Sequence, residues 1–472
     1  MLFTSPVFVF GFLPVVMFCY YVLLKKSRKW QNILLTITSL FFYAWGEPRF
    51  VLIMVGSILA NWIFALLADK YRENQKKVRL ILTVTVACNI GLLFVFKYLT
   101  FVVKSLQTLT NGGLFAKTTL NIALPIGISF FTFHAISYVF DVYKGRGKAL
   151  KNPLNVALYI SFFPQLVAGP IVRYETIADQ IHNRKETFKD FSEGVQRFMT
   201  GFAKKMLIAN NIALVADAAF AAVNPSVSFA WIGAIAYTLQ IFFDFSAYSD
   251  MALGLGKMFG FHFLENFNYP YISKSISEFW RRWHISLGTW FRDYLYIPLG
   301  GSRVKSKGRL VFNLFAVWFL TGVWHGANWT FLVWGLMYFA LITAEKLTGF
   351  DKKLGVFGYI YTLLFAVAGW VVFRADNLSA AVKYLGNMAG VGGNGFWSDI
   401  SAFYLHENMY FFGFAILFSM PFAPWLSKKL SASKGTAAFS DAVSALLLIL
   451  VFIVAVSFMI KGAYNPFIYF NF

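Results

Sequence analysis

A histidine inside a long apolar run is the residue of this sequence whose type and position best suit chemistry. His325 stands in the segment Leu320–Trp329, with Gly322 three residues before it and Gly326 directly after it. An ionisable side chain at membrane depth is costly to bury and is for that reason a candidate for function, although a structural hydrogen bond to a neighbouring helix is the alternative. Imidazole can act as a general base near neutral pH and take the proton of an attacking hydroxyl. The two glycines remove side chains beside the ring and so allow another backbone or a substrate to approach it.

A second histidine, His284, lies in an aromatic and basic stretch, Trp280–Gly301, that also contains Arg281, Arg282 and Arg292. A histidine among headgroup-facing arginines would be a residue of the membrane interface, and a catalytic role is the alternative. The guanidinium groups could bind lipid phosphates or the phosphates of a cytoplasmic donor. Both interpretations stay open on the residues alone.

Two acidic residues, Asp244 and Asp250, follow the apolar run 229–243. Acids at this depth face the protein interior or a cavity rather than lipid. They could relay protons in a transporter, or they could orient a histidine or an arginine. The orienting role is the interpretation we favour.

Other signatures of chemistry are absent from the sequence or stand in the wrong context. Gly390, Gly392 and Gly395 satisfy GxGxxG, but a loop between apolar runs lacks the strand and helix of a nucleotide-binding unit. The sequence has no G-x-S-x-G, P-loop or HExxH pattern. Cys19 and Cys88 lie apart inside apolar runs, so they match no disulfide framework, zinc site or CxxC pair. We therefore expect no bound metal and no thiol chemistry.

Elements of membrane-spanning length must position these residues, because about 20 apolar residues cross the hydrocarbon core of a bilayer as a helix. The run 153–172 contains Pro164 and the Gly169-Pro170 pair, and it is predicted to be broken or re-entrant rather than a plain span. The predicted spans lie at residues 3–24, 32–46, 50–68, 80–96, 121–140, 206–223, 229–245, 310–328, 330–345, 354–373, 409–426 and 440–460.

The basic residues between the runs indicate an orientation. They cluster after the first, third and fifth runs and are sparse after the second, which places the amino terminus outside and the odd-numbered connections in the cytoplasm. The same alternation places Lys428, Lys429 and Lys434 inside and the tail 464–472 outside. Two long cytoplasmic-side stretches mix aromatic residues with charges, which is typical of interfacial or re-entrant segments. These stretches are residues 173–205 and 246–309.

The orientation also places the two histidines along a route through the membrane. If the run 310–328 crosses from inside to outside, His325 lies about 22 Å along it at 1.5 Å per residue, nearer the outer face. His284 precedes that run on the inner side. A relay across the membrane and one shared central site are both compatible with this arrangement.

The composition supports the same class of protein. The 472 residues are 58% apolar and 13% charged, with a mean hydropathy of +0.61, which excludes a soluble multidomain protein. The formal charge of +21 would suggest nucleic-acid binding in a soluble protein, but here the basic residues follow the topology of a membrane protein. We expect a single polytopic domain over 1–472, with N-terminal spans in 1–140, a core with the candidate residues in 141–375, and an outer loop with the last spans in 376–472.

Several motifs resemble those of the membrane-bound O-acyltransferase (MBOAT) family. The similarity is closest to the bacterial branch that contains the membrane subunits of alginate, peptidoglycan and exopolysaccharide O-acetylation, with the D-alanyl transferase of teichoic acids more distant. The matching motifs are Leu124–Phe133, Phe162–Arg173, Phe242–Asp250, Glu278–His284, Trp290–Gly301, Trp324–Trp329, Phe373–Ala375 and Tyr464–Phe470.

The resemblance implies an all-α integral membrane fold of about 11–12 transmembrane helices, with re-entrant and interfacial helices around a central tunnel. It implies that His325 is the principal catalytic residue and His284 a second one nearer the cytoplasm. The motif residues expected to support the tunnel are Trp324, Gly326, Asn328, Trp329, Asp244, Asp250, Tyr248, Gln165 and Arg173. The residues expected on the donor side are Arg281, Arg282, Arg292, Asp293 and Tyr294.

The resemblance also implies a reaction and its partners. An acyl group would enter from a cytoplasmic thioester, with acetyl-CoA as the expected donor, and leave toward hydroxyls of an extracytoplasmic polysaccharide. An extracytoplasmic SGNH/GDSL-type partner would complete the transfer, and the chain would lie in the inner, cytoplasmic membrane of a bacterium.

Two other functions remain as alternatives. One is a transporter in which the acids and histidines relay protons, although such proteins more often show paired halves, which this sequence lacks. The other is a passive conduit whose chemistry belongs entirely to its partner.

Overall fold

The structure is a computed structural model that describes residues 1–110, 120–430, 434–462, 464, 465, 467 and 468, with the backbone alone for 430 and 434–440. All regular structure within those residues is helical, and they contain no strand. The predicted all-α class is therefore confirmed. The motif residues Pro466, Tyr469 and Phe470 and the side chain of Lys434 lie outside the described part.

Six helices among the described residues are long and apolar enough to cross a membrane. A helix of 18 residues rises about 27 Å, close to the thickness of the hydrocarbon core. A seventh span results if two consecutive helices, Met409–Phe418 and Phe422–Lys429, which meet at a bend of 68°, are counted as one. The six are Val51–Lys70, Gln75–Leu109, Val227–Met258, Trp329–Thr348, Phe357–Arg374 and Asp441–Ile460. The chain is thus a multi-pass membrane protein.

The described residues form two compact units, residues 1–195 with 252–264 and residues 196–251 with 265–472. In the first unit, π-helical segments at Val7–Phe12, Cys19–Leu23 and Phe94–Tyr98 continue neighbouring α-helices. Its α-helices are α1 (Leu13–Phe18), α2 (Arg28–Ala44), α3 (Val51–Lys70), α4 (Gln75–Leu93), α5 (Leu99–Leu109), α6 (Ile128–Tyr143), α7 (Pro153–Ser161), α8 (Phe163–Leu166), α9 (Tyr174–Ile177) and α10 (Gln180–Asn183).

The predicted break in the run 153–172 is confirmed within the first unit. Helix α7 ends at Ser161, the single turn of α8 follows, and no helix forms again before Tyr174. A Cβ atom on Gly169 would lie 2.5 Å from the Cα atom of Gln165, so the chain can fold back on itself here only with glycine.

Helix α6 begins later than its apolar run. The run starts at residue 121, whereas the helix starts at Ile128, because Gly127 holds a left-handed φ of 75°. A Cβ atom on Gly127 would lie 2.8 Å from the carbonyl oxygen of Leu166. A close approach to the broken segment therefore sets the start of α6.

The second unit contains both candidate histidines. Its π-helical segments are Lys204–Ala209 and Arg292–Tyr296, and its 3-10 turns are Pro270–Ile272 and Phe350–Lys353. Its α-helices, of which α11 and α13 also contribute residues to the first unit, are α11 (Phe188–Ala203), α12 (Asn210–Ala221), α13 (Val227–Met258), α14 (Ile276–Arg282), α15 (Ile285–Phe291), α16 (Lys307–His325), α17 (Trp329–Thr348), α18 (Phe357–Arg374), α19 (Leu378–Met388), α20 (Asp399–Glu407), α21 (Met409–Phe418), α22 (Phe422–Leu430) and α23 (Lys434–Ile460).

The core of the second unit is a continuous aromatic cluster. Its tryptophans Trp283, Trp318, Trp334 and Trp370 are all buried. Helices α16 and α17 pack along each other and supply two of these side chains. The prediction that the whole stretch 246–309 is interfacial is wrong for its first part, because the spanning helix α13 continues to Met258. In the second unit, residues 265–306 form only the short helices α14 and α15, a 3-10 turn and a π-helical turn, none of spanning length.

Candidate active site

His325 is the last residue of α16 and is 7% exposed. Its ring is enclosed by aromatic rings, with centroid distances of 5.0 Å to Trp324, 5.0 Å to Trp334 and 5.1 Å to Phe373. Trp334 comes from α17 and Phe373 from α18, so three helices position the imidazole. The surroundings are apolar, and a charge that develops there is screened little by water.

The glycines near His325 allow the backbones of two neighbouring helices to approach each other closely. A Cβ atom on Gly322 would lie 2.6 Å from the carbonyl oxygen of Phe331, and one on Gly335 would lie 2.6 Å from that of Trp318. The close approach that the sequence suggested near the ring is therefore made by the backbone of α17.

The residues after His325 end one helix and begin the next. Gly326 is extended, and a Cβ atom there would lie 2.2 Å from the ring of Phe331. The side chain of Asn328 caps α17 by accepting from the amide of Thr330 at 3.1 Å, and it donates to the carbonyl of Asp376 at 2.8 Å. Trp329 is half exposed. Asn328 and Gly326 thus hold the turn in place.

His284 occupies the turn between α14 and α15 and is 2% exposed. Its backbone has a φ of 47°, which is uncommon outside glycine. The Nδ1 atom lies 3.1 Å from Oδ1 of Asn266, whereas the buried Nε2 atom has no hydrogen-bond partner. Burial lowers the pKa of His284, so the neutral imidazole is the stable form.

The two histidines share one aromatic neighbour. The ring centroid of Trp324 lies 6.1 Å from that of His284 and 5.0 Å from that of His325. Phe245 of α13 also lies against His284, with a centroid distance of 4.6 Å. Both imidazoles therefore lie against the same indole ring.

Asp244 forms a buried ion pair. Its carboxylate lies 2.6 Å from Nζ of Lys205, and both side chains are no more than 5% exposed. The same carboxylate accepts the backbone amide of Ile468 at 2.8 Å. Asp244 therefore orients a lysine and binds the carboxyl-terminal segment.

Asp250 is held by two cations, with Arg197 at 2.6 Å and Lys204 at 2.7 Å. Tyr248, on the same helix, lies against Phe467 with a ring centroid distance of 4.9 Å. Both residues thus contact neighbours other than the two histidines.

The residues expected on the donor side differ in their exposure and in their contacts with other side chains. Arg281 is exposed, whereas Arg282 bridges to Glu278 at 2.8 Å. Arg292 pairs with its neighbour Asp293 at 2.7 Å, and the ring of Tyr294 lies against that of Trp290 with a centroid distance of 5.1 Å.

Gln165 and Arg173 belong to the first unit. Gln165 is fully buried and donates to the carbonyl of Tyr159, and Arg173 pairs with Glu175 at 2.9 Å. Their immediate contacts stabilise the broken segment around α8.

Sequence reasoning missed the polar neighbours of His284. Asn266 stands 18 residues earlier, and Ser249 lies on α13. No spacing rule joins residues this far apart. A signal was available only for Ser286, which follows His284 by two residues and also bonds Asn266.

Comparisons with known proteins point to one family. A family model described as MBOAT, membrane-bound O-acyltransferase family, matches residues 149–373. The chain is similar to the probable alginate O-acetylase AlgI of Pseudomonas putida, with 44% identity over 83% of this chain and 81% of that protein. It is 38% identical to the probable alginate O-acetylase AlgI of Azotobacter vinelandii over 100% of both chains. It is also 38% identical to a peptidoglycan O-acetyltransferase of Helicobacter pylori, over 83% of this chain and 80% of that protein.

Proposed function

The chain belongs to the membrane-bound O-acyltransferase family, and from this premise we propose that it moves acetyl groups from a cytoplasmic thioester toward hydroxyls of an extracytoplasmic polysaccharide. The donor in this proposal is acetyl-CoA. The names of the relatives, alginate O-acetylase and peptidoglycan O-acetyltransferase, support the acetyl group and the polysaccharide. We place the chain in the inner membrane of a bacterium, with its amino terminus outside, beside an extracytoplasmic SGNH/GDSL-type partner.

The observation that carries the proposal is the pair of buried imidazoles on one indole ring. Among the described residues, the buried Nε2 atom of His284 has no hydrogen-bond partner, and His325 also lies against Trp324 within an aromatic enclosure. A neutral imidazole can accept the proton of a hydroxyl as its oxygen attacks the thioester carbonyl. The carbon–sulfur bond then breaks, and the imidazolium returns the proton to the departing thiolate, so the products are an ester and a free thiol.

In this proposal, His325 is the principal catalytic residue and His284 is a second catalytic residue. The rings of Trp334 and Phe373 keep water from His325, which protects an acyl group from hydrolysis. On the donor side, Arg281 in the last turn of α14 is suited to a phosphate of the donor, since its side chain is exposed.

The transporter alternative is weakened by the partners of the two acids. Asp244 and Asp250 are each held by a cation at 2.7 Å or less. Each carboxylate is therefore engaged in an ion pair. Neither acid contacts His284 or His325 in any hydrogen bond of the described residues.

The deciding experiment measures transfer of radiolabelled acetyl groups from acetyl-CoA by the full chain in nanodiscs, with the partner and the polysaccharide present. We expect His325→Ala to abolish transfer while the protein still inserts. His406→Ala is the matched control, because this histidine has an exposed side chain and should leave transfer unchanged.

Two outcomes would contradict the proposal. Absence of both thiol release and label transfer with the wild-type chain would exclude the enzyme. Unchanged transfer by the His325→Ala chain would remove the role given to this residue, and would favour a conduit whose chemistry belongs to the partner.

A further inference from the structure

A buried amide side chain connects His284 to the rest of the second unit. Asn266 is fully buried, and its Oδ1 atom lies 3.1 Å from Nδ1 of His284. The same oxygen accepts the backbone amide of Ser286 at 3.2 Å and its hydroxyl at 2.9 Å. The Nδ2 atom donates to the hydroxyl of Ser249 on α13 at 2.9 Å. One side chain therefore joins the turn that carries His284 to a long helix.

These contacts fix which atom of the amide faces the imidazole. A backbone N–H can only donate, so the atom of Asn266 that meets the amide of Ser286 must be the oxygen. An oxygen that lacks a proton can only accept from Nδ1 of His284. The Nδ1 atom must therefore carry the proton.

The neighbouring hydroxyl does not change this assignment. The hydroxyl of Ser286 has one proton, which it donates to Oδ1 of Asn266 at 2.9 Å. The same hydroxyl oxygen lies 3.4 Å from Nδ1 of His284, where it can therefore only accept. In a neutral imidazole with a protonated Nδ1, the lone pair resides on Nε2. That is the buried atom without a hydrogen-bond partner.

We propose that Asn266 is the positioning residue of the reaction, which holds His284 in the tautomer whose Nε2 lone pair can accept the hydroxyl proton. When Nε2 takes that proton, the Nδ1–H bond to the amide oxygen is kept and stabilises the imidazolium. Ser249 supports this arrangement by accepting from the other end of the amide. The kinetic part of this inference rests on the proposed acyl transfer, whereas the tautomer does not.

The first experiment observes the tautomer without any turnover. The full chain is labelled with ¹⁵N-histidine in nanodiscs, and the His284 signals are identified by their loss in His284→Gln. We expect a protonated Nδ1 and an unprotonated Nε2 in the wild-type chain, and a change of this pattern in Asn266→Leu. A protonated Nε2 in the neutral wild-type ring, or an unchanged pattern in Asn266→Leu, would overturn the proposal.

The second experiment is the pH profile of acetyl transfer. Asn266→Asp keeps an oxygen that can accept from His284 and from the amide and hydroxyl of Ser286, but it adds a negative charge, which raises the pKa of His284. The base must be neutral, so activity is lost as the pH falls below the pKa of His284. We expect this loss to occur at a higher pH in Asn266→Asp than in the wild-type chain. Asn268→Asp is the matched control, because this exposed side chain lies two residues away in the same loop and should leave the profile unchanged.

A milder pair of variants covers the case in which Asn266→Leu does not fold. Ser249→Ala removes the hydroxyl that accepts from Asn266, and we expect kcat to fall on the order of tenfold with KM for the donor unchanged. Ser246→Ala removes a buried hydroxyl one turn away on α13 that has no partner, and it should have no effect. Equal kcat values for the two variants, or an unmoved profile in Asn266→Asp, would overturn the proposal. If the wild-type chain transfers no acetyl group, the proposed function fails, and the tautomer experiment still decides the role of Asn266.

Discussion

At the scale of single residues, the second unit buries charge and polarity in two different ways. The two histidines are buried among aromatic rings, where a neutral imidazole costs less to bury than an imidazolium. Lys205 and Asp244 are buried as an ion pair, where desolvation is costly and is offset by their mutual contact and by the backbone amide of Ile468, which donates to Asp244. The second unit therefore holds two buried imidazoles as well as the buried Lys205–Asp244 ion pair.

This difference leads to a prediction for the two acids of α13. Asp244→Asn leaves the ammonium of Lys205 without the carboxylate that neutralises it, which should cost about 3–5 kcal/mol of stability. Asp250→Asn should cost less, because Arg197 keeps Glu265 at 2.6 Å and is partly exposed. Thermal unfolding of both variants in detergent, followed by tryptophan fluorescence, measures the difference. Equal midpoints would show that the burial of the Lys205 pair has no energetic consequence.

The sequence was informative about residues that bear the chemistry and silent about residues that orient them. His325 and His284 stood out because ionisable side chains are rare in apolar runs. Asn266 did not, because an asparagine in a loop is ordinary until its distance to a histidine 18 residues later is known. Lys205 and Asp244 likewise meet only through the packing of separate helices.

At the scale of elements, the position of His325 depends on how closely α16 and α17 approach. Gly322 and Gly335 face each other's helix, and the nearest backbone atoms leave no room for a Cβ atom. The glycines were visible in the sequence, but the identity of the approaching group was not. Similarly, Pro164 and Gly169 predicted a break, whereas the late start of α6 required knowledge of its contact with the broken segment.

A pair of glycine variants on α16 tests this dependence. In Gly322→Ala the new Cβ atom would lie 2.6 Å from the carbonyl oxygen of Phe331, so the helices must separate, at a cost of about 1–3 kcal/mol. We expect a lower thermal midpoint and a loss of acetyl transfer, since His325 lies less than one turn further along. Gly308→Ala is the matched control on the same helix, where nothing lies within 4 Å of the new atom. Full activity in Gly322→Ala would mean that the site tolerates a shift of α16.

At the scale of the whole molecule, the charge of +21 is the basis of the predicted orientation, because basic residues concentrate in the cytoplasmic loops of membrane proteins. The orientation inferred from it places the basic loop before α16 in the cytoplasm and the segment after α19 outside. Helices α16, α17 and α18 separate these two positions, and the two ends lie on opposite sides only if all three helices cross. Helices α17 and α18 are among the six spans of the described residues, whereas α16 is not, so its crossing is what the orientation requires.

Cysteine labelling tests that orientation directly. In a chain carrying Cys19→Ser and Cys88→Ser, Lys305→Cys and Val391→Cys are made one at a time, both at exposed positions of the second unit. A maleimide that cannot cross the membrane should label Val391→Cys in spheroplasts, and Lys305→Cys only after the membrane is permeabilised. The reverse pattern would place the amino terminus inside and would direct the basic stretch around His284 away from a cytoplasmic donor. Labelling of both positions from one side would mean that one of the three helices does not cross the membrane.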